Sequence, residues 1–355
     1  MDEKRIHNYF DLIQKLLNCQ IEEESDILLT HQYLLDADFL EMIKTAAKQA
    51  GEDGNEKTKN WLLNLQDKLN HLDIDDEVEA GEGITNLENI LEGLEAHLEF
   101  LPKIIQTIAQ TSSDRQVVYA LLQQNTDKLD KNFISVLSYW FITTIEDVEN
   151  DEAEYIVALV VELSNLIKLF TMAEEEMNME IAIVGYELVL DAYQKLGLLF
   201  EWAMVQNNLG LAYAERIMGD QAENQEKAIA AYHDALTIRT QAQFPQDWAM
   251  TLNNLGTVYA ERIMGERAEN QEKAIAAYHD ALKVRTKSQF PQDWAMTLNN
   301  LGTVYAERIM GDQTENQEKA IFFYNQALEV YTQDAFPLDW AMIHNNLKKS
   351  SDHNN

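Results

Sequence analysis

Trp202, Trp248, Trp294 and Trp340 stand 46 residues apart, and each opens the phrase Trp-Ala-Met-x-x-Asn-Asn-Leu. Self-similarity at a fixed period of this length marks a solenoid, in which one unit buries its apolar face only by stacking on the next. Arrays of this kind present extended surfaces and seldom carry chemistry, so a chain that binds other proteins is the first expectation.

Each period resolves into two helices. In the copy at 246–291, Trp248, Leu252, Leu255, Tyr259 and Ile263 recur every three or four residues, which predicts a first helix over about Asp247–Ile263. Asp247 stands where its N-cap belongs, and Gly265 where its C-cap belongs. Ala274, Ile275, Tyr278, Ala281 and Leu282 form the stripe of a second helix over about Asn270–Thr286, with Asn270 as cap. Gly256 and Ala281 are small at inward positions and let the two helices approach. Copies are expected at 200–245, 246–291 and 292–337. A degenerate copy over 154–199 is recognised by Ala182, Tyr186 and Val189 at the phase of Ala228, Tyr232 and Ala235, and by Leu163-Ser164 at the phase of Leu209-Gly210. A capping half-repeat at 338–349 and a disordered tail at 350–355 complete the repeat region, 151–349.

The first 150 residues read as a helical domain without a repeat. Ile6, Tyr9, Phe10, Ile13, Leu16 and Leu17 form one stripe, Ile27–Ala50 a second helical stretch ended by the Gly51–Asn55 cluster, and Trp61, Leu62, Leu65 and Leu69 a third. Ten acidic residues and no Lys or Arg lie between Leu69 and Pro102, and the centre of that run, Asp73–Gly83, reads as an exposed acidic loop. Helices resume over 84–98, 103–110, 116–124 and 127–145.

Charge narrows the function classes. Of the formal net charge of −34, residues 1–199 hold 40 acidic against 14 basic side chains. A chain so acidic repels phosphates, which disfavours nucleic acid as a direct ligand. Cys19 is the only cysteine, so no internal disulfide forms and a reducing compartment is expected. No apolar signal core opens the chain and no apolar run reaches the ~18 residues of a membrane span, which together predict a cytoplasmic protein without membrane partners.

Leu255-Gly256-x-x-Tyr259 followed by Ala274-x-x-x-Tyr278-x-x-Ala281 resembles the tetratricopeptide repeat, with the same residues at Leu209/Gly210/Tyr213 and Leu301/Gly302/Tyr305. The family's usual period is 34 residues, and here twelve more lie in the two turns. The phrase Ala-Glu-Arg-Ile-Met-Gly-x-x-x-Glu-Asn-Gln-Glu-Lys-Ala-Ile, with Phe-Pro-Gln-Asp-Trp-Ala-Met, is similar to the long repeats that precede CHAT domains, caspase-like proteases of bacteria. Asp127–Phe133 and Leu163–Ile167 are similar to the helical lead-in of those proteins. No copy of that protease domain is expected within these 355 residues, and Cys19 has no catalytic context. The resemblance implies an all-α fold: a helical N-terminal region followed by a tetratricopeptide-like, right-handed α-solenoid.

The Asn pairs are the candidate binding residues: Asn207/Asn208, Asn253/Asn254, Asn299/Asn300 and Asn345/Asn346. On a helical wheel with Trp248 at zero, Asn253 falls near ~140° and Asn254 near ~240°, flanking the face opposite the apolar stripe. Thr257, Glu261 and Thr303 fill in that face. In the resembled family the first helix lines a concave groove, and some members carry an asparagine ladder there. An amide both donates and accepts, so a row of them holds an extended peptide without reading its sequence. The competing reading has the amides satisfy neighbouring helix ends. Glu215-Arg216, Glu261-Arg262 and Glu307-Arg308 are expected to form ion pairs between repeats or to bond helix-terminal carbonyls, with a charged rim for ligands as the alternative. The Trp residues are expected in the inter-repeat core. His233 and His279 lack co-ligands at metal spacing and read as surface residues. No motif of a nucleotide, metal or acyl-transfer site is present, so no catalytic residue, cofactor or metal is expected.

The leading expectation is a non-enzymatic scaffold or adaptor whose groove takes a peptide segment or helix of a partner protein. By the CHAT resemblance, that partner is a caspase-like protease or its regulator in bacterial defence, of CRISPR or another type. The alternative is a proteolysis-controlled switch, a substrate or inhibitor of a partner protease, whose N-terminal domain is released or activated by cleavage in Asp73–Gly83. An enzyme with a site in residues 1–150 is the third and weakest reading.

Overall fold

The computed structural model describes residues 37–52, 56–70, 82–146 and 148–352, with short pieces between 12 and 35. Cys19, most of the first apolar stripe, and the acidic stretch Asp73–Gly83 except its last two residues lie outside the described residues. Among the described residues every regular element is helical, and no helix is long and apolar enough to cross a membrane. Two compact units divide between Lys103 and Ile104.

In the first unit, α1 (Ala37–Glu52) packs on α2 (Glu56–Asn70). Phe39, Ile43 and Ala47 of α1 meet Leu62, Leu65 and Leu69 of α2 at helical spacing, with Leu12, Ile13 and Leu16 in the same core. The long helix α3 (Glu82–Thr111) continues through Pro102. The sequence suggested two helices parted there. Proline removes one ladder hydrogen bond, but Leu101, Ile104, Ile105 and Ile108 are all buried around it. Their burial outweighs the lost bond.

The second unit continues with α4 (Arg115–Gln123), α5 (Lys131–Glu146) and then helix pairs: α6 (Asn150–Lys168) with α7 (Glu175–Leu196), α8 (Leu199–Glu215) with α9 (Gln221–Ile238), α10 (Pro245–Glu261) with α11 (Arg267–Ala281), and α12 (Pro291–Ala306) with α13 (Gln313–Leu328). Helix α14 (Pro337–Asp352) packs on α13. This is an all-α, solenoid-like stack. Successive first helices (α8, α10, α12, α14) approach one another more closely than successive second helices do. The first helices are therefore called the inner helices.

Close packing within each pair rests on one residue without a side chain. A Cβ on Gly210, Gly256 or Gly302 would sit 2.8–2.9 Å from the ring of Tyr232, Tyr278 or Tyr324. In the degenerate pair the arrangement is inverted, with Gly185 on the second helix facing Ser164 on the first.

Several boundaries differ from the sequence reading. Helix α10 begins two residues early because Pro245 occupies the first turn, where its missing N–H has no partner to lose. Phe244 is the N-cap, and Asp247 lies inside the first turn. Gly265 is not the C-cap, which is Arg262; its φ of +79° turns the chain between the helices. Asn270 is not a cap either. It is buried one turn into α11, donating from Nδ2 to the carbonyl of Met264 at 2.8 Å. Ile263 leaves the apolar stripe and is exposed, as are Ile217 and Ile309 in the equivalent turns. Trp202 is buried, but Trp248, Trp294 and Trp340 are only half-buried, whereas the alanine that follows the first three, Ala203, Ala249 or Ala295, is fully buried. The expected tail at 350–355 is helical as far as Asp352, with Ser350 buried.

Candidate functional site

The inner helices carry a stripe at i, i+4, i+7 and i+11 that neither the partner helix nor the next repeat covers completely. It reads Met250, Asn254, Thr257 and Glu261 on α10, and Met296, Asn300 and Thr303 on α12 with Glu307 at its C-cap. Helix α8 has Met204, Asn208, Leu211 and Glu215 at the same positions. The Glu residues are exposed and the Asn residues half-buried.

The two members of each Asn pair have different surroundings. Asn207, Asn253 and Asn299 are buried between repeats rather than on the open face. Asn207 Oδ1 accepts from the Thr251 hydroxyl at 2.9 Å, and Asn253 Oδ1 from the Thr297 hydroxyl at 3.0 Å. Arg239 and Arg285, both buried, donate from Nη1 to the same hydroxyls at 3.0 Å. An Arg–Thr–Asn relay thus ties three consecutive elements at two junctions. Burial lowers the affinity of both guanidinium groups for their proton, partly offset by Asp247 and Asp293. At the next junction the relay positions are Tyr331 and Ile343, so Asn299 Oδ1 is buried without a donor. This relay is missing from the sequence reading. Its sequence signal is the joint departure of positions 331 and 343 from the Arg and Thr of the earlier copies.

The second Asn of each pair stays on the open stripe. Asn254 and Asn300 make no side-chain hydrogen bond within the described residues, whereas Asn208 Nδ2 donates to Asn165 Oδ1 at 3.3 Å. Asn345 is exposed and Asn346 half-buried on α14. Thr257 and Thr303 bond their own helix carbonyls and the phenols of Tyr278 and Tyr324 at 3.1 and 3.2 Å. Leu211 replaces that threonine in the first full copy, and the Tyr232 phenol is left buried without a partner.

Between α10 and α12 the stripe deepens into a cleft of about 210 Å³. Glu261 and Glu307 stand on its walls together with Thr257, Thr303 and Asn300, and Tyr278, Ala260 and Val304 also line it. No basic side chain lines it.

The Glu-Arg dipeptides divide in the same way. The arginines turn away from the stripe and bridge repeats: Arg262 Nε and Nη2 each bond a Glu226 oxygen at 2.6 Å, and its Nη1 donates to Asn270 Oδ1 at 3.2 Å. Arg216 with Glu180 and Arg308 with Glu272 repeat this fork. The arginine bonds hold the Glu226 and Glu272 carboxyls below their ordinary value near 4.5. Because the folded-state value is the lower one, the stabilisation is complete above the ordinary value and is lost as pH falls through the folded one. Each pair is partly solvated, so Glu272→Gln is expected to lower stability by about 0.5–1 kcal/mol at pH 7. The difference from wild type should shrink as pH is taken progressively below 4.5 in urea titrations. A difference that persists there would assign the loss to packing instead of charge.

His233 bonds the Tyr259 phenol from Nε2 at 2.9 Å, and His279 rests edge-on against Phe323. Among the described residues no group of three His, Cys, Asp or Glu side chains is placed to hold a metal. No family model matches the chain, and no curated protein matches it.

Proposed function

We propose that this chain is a tetratricopeptide-like interaction scaffold, non-enzymatic, whose inner-helix stripe holds a segment of a partner protein. The observation that carries the reading is the contrast within the Asn pairs. Asn207 and Asn253 are consumed by packing between repeats, while Asn254 and Asn300, one repeat apart, keep donors and an acceptor unspent at the half-open face. Half-buried amides without protein partners suit an extended backbone, which offers alternating N–H and C=O groups. Asn208 and Asn346 extend the row at either end. A caspase-like protease system in bacterial defence is the setting we propose for the partner, on the CHAT resemblance alone.

Asn254→Ala with Asn300→Ala is expected to weaken capture of the partner from native-host extract about tenfold or more, from two lost hydrogen bonds of roughly 1 kcal/mol each. Helical content and melting should stay unchanged, because neither amide bonds within the fold. Undiminished capture of the same co-eluting protein would remove the ladder from the reading.

A further inference from the structure

We infer that the cleft between α10 and α12 accepts a lysine side chain of the partner segment, its ammonium lying between Glu261 and Glu307. This deepens the reading of the stripe as a binding face and rests on it. The argument comes from the array's own first junction. There Lys168, at the last residue of α6, places its Nζ 2.8 Å from Glu215, and its side chain is largely buried. Ninety-two residues on, the phase of Lys168 is Ala260 and that of Glu215 is Glu307. The register is fixed by the bonds around it: Tyr186 to Asn165 and Tyr278 to Thr257 both span 21 residues, and Arg216 to Glu180 and Arg308 to Glu272 both span 36. The chain therefore supplies an ammonium to this position once. In the later copies it truncates the residue to alanine and keeps the carboxylate.

The truncation leaves the cleft, and the charge around it is unmet. Glu261 has no ion pair within the described residues. Glu307 meets only Arg267, in a pair more than half exposed on both sides, of the kind that contributes little and is readily displaced. The neighbouring arginines 262 and 308 are held in their forks with Glu226 and Glu272. Two carboxylates in a cleft with hydroxyl and amide oxygens beside them match the three donors of an ammonium on an alkyl stem.

The test uses the full chain and a tetralysine peptide as probe, with tetra(acetyl-lysine) as control, by titration calorimetry at low salt. Ala260→Lys should fill the cleft from within, as Lys168 does at the first junction, and weaken tetralysine binding about tenfold or more. Ala276→Lys makes the same charge change at an exposed site on α11 and should leave affinity within about twofold. Glu261→Gln with Glu307→Gln should match the first loss without adding bulk, which guards against a misfolded Ala260→Lys. Equal losses in Ala260→Lys and Ala276→Lys, equal binding of the acetylated peptide, or no binding by wild type would each overturn the lysine site. If that happens while Asn254→Ala with Asn300→Ala still loses the native partner, the groove reading stands and only its lysine component falls.

Discussion

Gly256→Val is expected to destabilise the repeat unit by about 3 kcal/mol, the upper range for overpacking a filled core. Helix propensity alone predicts the opposite sign, since a glycine in mid-helix is disfavoured relative to alanine by about 1 kcal/mol. Packing decides the outcome. A Cβ at Gly256 would lie 2.8 Å from the Tyr278 ring. That ring is 1% exposed, and its hydroxyl is bonded to Thr257. It has nowhere to retreat without separating α10 from α11. Gly256→Ala should already lose stability, by less. Gly265→Ala is the comparator, because nothing but side-chain tips approaches its Cβ and only its positive φ resists substitution, at about 1–2 kcal/mol. In an array coupled through nearest neighbours the damage should begin locally. The fluorescence of Trp248, isolated by replacing the other tryptophans, should report unfolding at lower urea than the chain's helical signal. A Gly256→Ala chain as stable as wild type would show that the helices separate freely, and would sink the close-packing argument.

The period, the helix pairing and the close approach at Gly256 were legible because each is a one-dimensional pattern: a spacing, a stripe, a small residue at an inward position; that the Tyr278 ring is what Gly256 meets was not. The separation of Asn253 from Asn254 was not. A helical wheel opposes one buried face to one solvent face, and on it the two residues flank the outer direction almost symmetrically. In a stack an inner helix is covered twice, by its own partner helix and by the next repeat. The open sector is therefore narrow. Asn254 falls inside it, and Asn253 falls under the following repeat, against Thr297. Trp248 shows the same limit, since a large apolar residue and the alanine beside it cannot be ranked for burial by periodicity, and Ala249 is the one enclosed. Ile263 shows another, because the stripe continues in sequence past the point where the helix ends. Pro102 failed as a punctuation mark because the burial around it was unknown.

Arg239→Ala is expected to cost about 3 kcal/mol, within the range for breaking a buried charged network. The residue is 1% exposed, and truncation leaves both a cavity and the Thr251 hydroxyl without its donor. The array itself suggests how the same position is made tolerant. At the first junction the three relay positions are Tyr193, Val205 and Val161, all buried and all without a formal charge. Arg239→Tyr, Thr251→Val and Asn207→Val together copy that junction one repeat on. A guanidinium loses much of its hydration energy on burial, and here its Nε has no partner and Asp247 stands 3.6 Å away. The recovered interactions are therefore incomplete, and an apolar replacement of similar volume should be neutral or better. The triple variant is expected to lie within about 1 kcal/mol of wild type in urea denaturation, far above Arg239→Ala. The two results separate the worth of the relay from the damage of breaking it. A triple variant as unstable as Arg239→Ala would mean that the guanidinium sets the spacing of α8 and α10, and the Asn208-to-Asn254 interval along the open stripe would then depend on it too.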